Sequence, residues 1–208
     1  MASDVGIVNE ALRLIGETTI IALTDDNKAA RIASDTYEEH RDYVTDLHPW
    51  TFAMKRVSLA ADVATPDWEF ASQYSLPSDC LSPYRVNGED EYSGKWRVEG
   101  RKIVSDLSAP LQLLYIARIT DADAMTPRFR EVLAAYLAYK WCIAFTDGRD
   151  RQEQLKKDYE EILAVARSRD SQEGTREPMQ SDTWITARLG PGDLRRDIRL
   201  NYDPGTIP

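Results

Sequence analysis

The chain has 208 residues, 42% hydrophobic and 29% charged, a composition typical of one sizeable globular domain or of a domain with an insertion and an arm. No window approaches the roughly 18–20 unbroken apolar residues of a membrane span, and the N-terminus lacks the pattern of a secretory signal. The net charge of −9 argues against tight wrapping of DNA, which needs clustered Lys and Arg, but not against a wall along which DNA slides.

Two amphipathic helices are predicted at the start of the chain. The first runs from Ser3, a suitable N-cap, to Gly16, which follows the last helical residue. The segment 24–27 supplies capping residues for a second helix at about 27–48, in which apolar residues recur at helical spacing. Pro49 is expected to end this helix, because the residue before a proline is disfavoured in the α region.

Strands are predicted next, because the apolar period changes to two over residues 50–118. The candidate strands are 51–59, 72–76, 82–87, 95–99, 102–105 and 111–118. Residues 99–101 are predicted to form the turn of a hairpin, since they contain a glycine between two short apolar runs. The alternation slips in the first strand, so we expect a β-bulge near Lys55 and Arg56.

Helical periodicity returns after the strands. Thr126 as N-cap and Pro127 at the first helical position open a helix at about 127–146. Its last turns, at 141–143, are apolar almost all round, and we expect them to be the most buried part of the protein. A break precedes a final long helix at about 149–173.

These patterns predict an α+β fold. It consists of a helical bundle of four main helices, with an inserted small antiparallel β-region at about 50–118 and an extended C-terminal arm. The body spans residues 1–173 and carries the whole net charge, because the acidic and basic residues of the arm, 174–208, are equal in number.

The arm has the composition of a segment that orders on a partner. It holds four of the ten glycines and four of the ten prolines, yet it keeps aromatic and aliphatic residues that a purely disordered tail rarely has. Trp and Arg dominate the hot spots of protein interfaces, so Trp184 and Arg188 are the best candidate anchors. The full set of predicted docking residues is Trp184, Ile185, Arg188, Leu189 and Leu200.

Groups for catalysis or metal binding form no recognisable motif. His40 and His48 lie eight residues apart on the second helix, and spacing supplies no third ligand for a metal. Acidic pairs occur, as expected in a chain with 35 acidic residues, on predicted polar faces and in loops. They are Glu38 with Glu39, Asp121 with Asp123, and Glu160 with Glu161. We therefore predict no catalytic residue, no metal and no cofactor.

The residues that follow the second helix allow two interpretations. Lys55 and Arg56, next to aromatic residues, could form a platform on which nucleic-acid bases stack. The favoured alternative is that Trp50 and Phe52 cap the core where helix becomes sheet. Cys80 and Cys142 are too far apart for a CxxC motif and are predicted to be reduced core thiols in a cytoplasmic protein.

Several motifs together resemble the head-to-tail adaptor proteins of tailed bacteriophages and prophages. The group includes the tail tubular protein A, or gatekeeper, of short-tailed phages. The similar segments are 48-HPWTFAMKRVSLA-60, 67-DWEFASQYSLPSDCL-81, 9-NEALRLIGE-17, 95-KWRVEGRKIVSD-106, 119-ITDADAMTPRFREVLAAYLA-138 and 182-DTWITAR-188. The resemblance covers the chain to about Arg188, and residues 190–208 match no pattern of the family.

The resemblance implies a structural protein of the virion neck. Such proteins are assembled in the host cytoplasm into a ring, typically a dodecamer, under the portal protein. The helical body builds the ring wall, the β-region faces the next tail or neck component (nozzle, stopper or tail tube), and the C-terminal segment reaches the portal. Genomic DNA passes through the lumen without sequence-specific binding, and no membrane is involved.

Within this reading Pro49, Trp50 and Phe52 form a helix-to-sheet corner that sets the angle between ring wall and β-region. The channel wall is expected to be acidic, from the polar faces of the 27–48 and 149–173 helices. Two alternatives stay open: a tail-completion or stopper protein of the neck, and a virion-associated cell-wall hydrolase that uses acids such as Glu38 or Glu160.

Overall fold

Four helices and two small antiparallel sheets make up the α+β fold of the protein. The computed structural model describes residues 2–88, 94–146 and 148–173. In chain order the elements are α1 (Asp4–Ile15), α2 (Lys28–Asp46), a 3-10 turn (Thr51–Ala53), β1 (Met54–Leu59), β2 (Ser72–Ser75), β3 (Cys80–Val86), β4 (Trp96–Glu99), β5 (Lys102–Ser105), β6 (Leu111–Ala117), α3 (Pro127–Phe145) and α4 (Arg149–Glu173).

The helix ends follow local capping chemistry. The side chains of Ser3, Asn27 and Thr126 accept hydrogen bonds from the backbone N–H three residues later, at 3.1, 2.7 and 3.3 Å. Gly16 adopts the left-handed conformation, with φ at 93°, and its N–H donates to the carbonyls of the last turn of α1. All four helices lie within two residues of their predicted bounds, and α2 ends three residues before Pro49.

The core of the helical body lies around α3, which packs against the other three helices. All seven residues of the segment 132–138 are buried. The expectation that 141–143 is the most buried part is wrong: Trp141 and Cys142 are buried, but Ile143 is 54% exposed. An apolar run does not reveal which face its neighbours cover, and at this end of α3 they cover one side only. None of the described helices combines the length and hydrophobicity required to cross a bilayer.

The helical body has two distinct ends, about 28 Å apart along the 19 residues of α3. At one end Lys28, at the start of α2, donates a hydrogen bond to the carbonyl of Ala144 near the end of α3. At the other end Arg128, at the start of α3, forms an ion pair at 3.1 Å with Glu173, the last residue of α4. The β-region follows the end of α2 and precedes the start of α3, so it is joined to this second end.

The strands form two three-stranded sheets, with orders β1-β6-β3 and β2-β5-β4. Side chains from both sheets share one apolar core. The hairpin predicted at 99–101 is confirmed, because β4 and β5 pair up to Glu99 and Lys102, and Gly100 has a φ of 61°. The prediction of a bulge at Lys55 and Arg56 is wrong, since β1 pairs with β6 without a register shift.

The apparent slip in the first strand has another cause. Residues 51–53, predicted as strand, form the 3-10 turn, and within β1 Met54 packs against the helical core whereas Val57 and Leu59 pack against the core of the sheets. The register shifts lie in β3, on either side of Ser82 and Pro83. Proline has no N–H to donate to a sheet and is therefore tolerated where the ladder is interrupted.

Candidate functional site

The corner between α2 and β1 is built around Trp50. The indole is 1% exposed, and its Nε1 donates to the carbonyl oxygen of Val44 at 3.1 Å. Its ring packs edge-on against Phe129 of α3, with the centroids 5.2 Å apart. Phe52 also packs against the ring of Phe129, with the centroids 4.8 Å apart. Pro49 is half-buried in the turn before Trp50. Such aromatic pairs contribute about 0.5–1.5 kcal/mol each beyond the burial of their area.

The last turns of α4 close the corner from the other side. Asp170 is 7% exposed and accepts hydrogen bonds from the backbone N–H of Thr51 at 3.2 Å and from Thr51 Oγ1 at 2.9 Å. Its Oδ2 also lies 3.3 Å from Nε2 of His48. One turn earlier, Nη2 of Arg167 donates to the carbonyl of Leu47 at 2.9 Å. α4 therefore holds the chain on both sides of Pro49.

The His48–Asp170 pair braces the corner and does not form a nucleophilic triad with Thr51. A nucleophilic triad requires the hydroxyl to bond to the imidazole, which in turn bonds to the carboxylate. Here the hydroxyl of Thr51 and the imidazole of His48 both bond to the carboxylate of Asp170. Burial lowers the pKa of His48, and the nearby carboxylate offsets part of this effect. A cleft of about 320 Å³ borders the brace, lined by Trp50, Thr126, Pro127, Arg128, Ala166, Asp170 and Glu173.

A second brace ties the exit of the β-region to α2. Asp42 accepts a hydrogen bond from Nε of Arg118, just after β6, at 2.5 Å and forms an ion pair with Arg41 at 3.0 Å. The guanidinium of Arg41, 3% exposed, also lies 6.0 Å from the ring of Tyr37. The segment that enters the β-region is thus fixed to α4, and the segment that leaves it is fixed to α2.

The geometry does not favour a nucleic-acid platform at Lys55 and Arg56. The face of Trp50 is buried, and Phe52 packs against α3, so neither ring presents an open surface to a base. Lys55 forms an ion pair at 2.8 Å with Asp79, and the hydrogen bond from this lysine lowers the pKa of the carboxyl group.

The acidic pairs lie where the sequence placed them, on helix surfaces and in a loop. Glu38 and Glu160 are exposed on α2 and α4. Asp121 and Asp123 accept hydrogen bonds from backbone groups. The carboxylate of Asp121 accepts from the N–H of Asp123 at 2.9 Å, and that of Asp123 accepts from the N–H of Ala2 at 2.6 Å. In the parts of the chain that the structure describes, no group of three or more His, Cys, Asp or Glu side chains is arranged to hold a metal ion.

The two cysteines and the arm complete the predicted residues. Cys80 and Cys142 are buried and unpaired, as expected for core thiols. The predicted docking residues Trp184, Ile185, Arg188, Leu189 and Leu200 lie outside the described residues. Sequence reasoning missed His48 and Asp170 as partners, because the two lie more than one hundred residues apart in the chain and carry no local pattern. No family model and no curated protein sequence matches this chain.

Proposed function

We propose that this protein is a head-to-tail adaptor: a structural virion protein whose ring joins the portal to the next neck or tail component and lines the DNA exit channel. The observation that supports this most directly is the architecture of the body. A β-region is inserted between two helices at one end of a four-helix body, and two braces fix it there. The family that the sequence motifs resemble is expected to have this arrangement, in which the helical body forms the ring wall and the β-region lies at one end of it.

The charge of α2 supports a place at the channel wall. Its exposed residues from position 34 to 46 include four acidic side chains and no basic one. They are Asp35, Glu38, Glu39 and Asp46. The one basic residue in this stretch, Arg41, is buried against Asp42. An acidic wall cannot neutralise phosphates, so DNA would slide past it without being held by counterion release.

The two candidate wall helices differ in this respect. Over its whole length α4 carries seven acidic and six basic residues in alternation, whereas α2 carries five acidic and three basic residues and has Lys28 and Arg31 before the acidic stretch. The polar face of α2 from position 34 to 46 is therefore the stronger candidate for the lumen. In a dodecameric ring this face would repeat twelve times around the channel. A structure of the assembled ring in which basic residues line the lumen would contradict the proposal.

Deletion of residues 175–208 tests the docking role of the arm. We expect the truncated protein to keep the circular dichroism spectrum and melting behaviour of the full chain, because the buried residues of the described body end at Asp170. We expect it to lose co-sedimentation with purified portal rings of the same particle. A Trp184→Ala, Arg188→Ala double variant should lose most of the binding, and a Met179→Ala variant serves as the matched control within the arm.

Two outcomes would count against the proposal. A truncated protein that still binds portal rings at full occupancy would remove the arm as the docking element and favour a stopper that binds the tail. We also expect the acidic protein to be monomeric or weakly associated alone and to form the ring on the portal; a stable closed ring in sedimentation velocity runs without portal would contradict this. A class average of purified particles by cryo-electron microscopy would locate the protein directly.

A further inference from the structure

The loop at 60–71, between β1 and β2, exposes two large apolar side chains. Val63 is fully exposed and Trp68 is 78% exposed. Tryptophan is normally buried over most of its surface, as Trp50, Trp96 and Trp141 are in this chain. An indole left in solvent, five residues from a second exposed apolar side chain of the same loop, requires an explanation that the core does not supply.

The loop is held in a defined shape by side-chain carboxylates at both of its ends. Asp62 accepts a hydrogen bond from the hydroxyl of Ser75 at 2.9 Å and forms an ion pair with Lys102 at 3.0 Å. These contacts, with Lys102 the largest cause, lower the pKa of Asp62. At the other end Asp106 accepts from the N–H of Ala71 at 2.9 Å. The loop is thus fastened to β2, to β5 and to the residue that follows β5.

The backbone next to the indole adopts a rare turn. The N–H of Phe70 donates to the carbonyl of Trp68 at 2.9 Å, which closes a γ-turn around Glu69, whose φ is 70°. The γ-turn with a positive φ is rare and strained, and a side chain larger than glycine adds to the strain. Arg97 holds this turn through an ion pair with Glu69 at 3.0 Å and lies 5.7 Å from the ring of Phe70. Strain of this kind marks sites at which a fixed geometry serves a function.

We propose that the loop 60–71 is a docking element, in which Trp68 and Val63 insert into an apolar pocket of a second protein. The pocket is expected to have a basic rim. The loop carries three acidic residues, Asp62, Asp67 and Glu69, against the two cations that pair with it, Lys102 and Arg97, so a net negative charge remains beside the indole. This inference rests on the proposed function. Since the arm is assigned to the portal there, the partner of the loop is the other neighbour, the next neck or tail component.

The charges of this chain disfavour a second copy as the partner. The cleft of about 580 Å³ between α1 and α3 is lined by Glu10 and Glu131, and its arginine, Arg130, already donates to two backbone carbonyls. The cleft between α3 and α4 is lined by Glu131 and Glu161, and its one cation, Arg128, already forms an ion pair with Glu173. If Trp68 of a second copy entered either cleft, carboxylates of the cleft would lie against Asp67 and Glu69 beside the indole. An anionic membrane surface would repel the same flanks.

The test is complementation of a phage that lacks the gene, with variants of the full-length chain. The variants are Trp68→Ala, Trp68→Phe and, as a matched control, Ile21→Ala, whose side chain is 91% exposed in a loop at the other end of the helical body. Two quantities are measured on gradient-purified heads: copies of the protein per head by immunoblot, and the fraction of protein-bearing heads with a tail by negative-stain electron microscopy.

We expect Trp68→Ala to leave the protein on heads at the wild-type level and to lower the tailed fraction at least tenfold. Trp68→Phe should restore part of it, and Ile21→Ala should leave this fraction unchanged. A wild-type tailed fraction in Trp68→Ala would overturn the docking role of the loop and leave the adaptor proposal standing. Absence of the wild-type protein from purified particles would overturn the adaptor proposal and, with it, the partner named here.

Two controls on the purified protein decide between other partners. If Trp68→Ala abolished self-association in sedimentation velocity experiments, the loop would bind a second copy and the proposal would be wrong. If the wild-type protein but not Trp68→Ala co-sedimented with vesicles of phosphatidylcholine and phosphatidylglycerol, the loop would be a membrane contact, which would also overturn it. Equal melting temperatures of Trp68→Ala and the wild type would show that the fold is intact.

Discussion

Replacement of Asp170 by alanine tests whether α4 holds the corner. The change removes the acceptor of two hydrogen bonds from Thr51 and the partner of His48. Hydrogen bonds to a charged group contribute about 1.5–3 kcal/mol each, but Thr51 is exposed, so water can replace part of the loss. Burial keeps the pKa of His48 low, so its imidazole is uncharged near neutral pH and the variant leaves no buried charge without a partner.

We therefore expect Asp170→Ala to lower the free energy of unfolding by about 2 kcal/mol, less than the usual cost of breaking a buried ion pair. For a chain of this size that corresponds to a fall in melting temperature of about 4–8 °C. Asp170→Asn retains one acceptor oxygen and should cost about half as much. Glu160→Ala is the matched control, because its exposed pair with Lys156 contributes at most about 0.5 kcal/mol.

The measurement is thermal and urea unfolding near pH 7, together with hydrogen exchange. In Asp170→Ala, exchange should accelerate in the segment 51–59 and stay unchanged in the segment 132–138, which lies in the core of the helical body. If Asp170→Ala and Glu160→Ala melted within 1 °C of each other, the brace would not contribute to stability and the reasoning would be refuted.

The ionisable groups give two further predictions. Burial lowers the pKa of His40 and of His48 below 6.5, so on acidification the unfolded chain takes up protons before the folded one, and the free energy of unfolding should fall as the pH drops below about 6.5. Urea titrations at several pH values should show this fall, and a His40→Gln, His48→Gln double variant should show much less of it. Burial raises the pKa of Cys80 to about 11 and also raises that of Cys142. Ellman's reagent near pH 8 should therefore label neither thiol in the folded protein and both thiols in concentrated guanidinium. Rapid labelling of the folded protein would contradict their burial.

The helices could be predicted from the sequence because their signals are local. Ser3, Asn27 and Thr126 bond to backbone groups three residues away, and Gly16 takes a conformation that other residues avoid. The hairpin around Gly100 is equally local. In each case the residue that fixes a helix end or a turn lies within a few residues of it in the sequence.

The contacts that hold the corner could not be predicted in this way. Asp170 lies 119 residues from Thr51, and nothing in the pattern of α4 distinguishes its carboxylate from the exposed ones. The 3-10 turn was predicted as strand, because its shape depends on the burial of Trp50 and Ala53 against α3. The strained turn at Glu69 likewise depends on Arg97, which lies 28 residues later in β4.

The contact between Asp170 and Thr51 also defines a mechanical route through the protein. Asp170 lies within one turn of Glu173, where α4 ends, and Thr51 lies three residues before β1. A load applied at the end of α4 would therefore reach the segment before the first strand through a few polar contacts, as well as reaching the apolar core through Ala166 and Tyr159. A partner that pulls on the last turn of α4 would thus act on the β-region as well as on the core around α3.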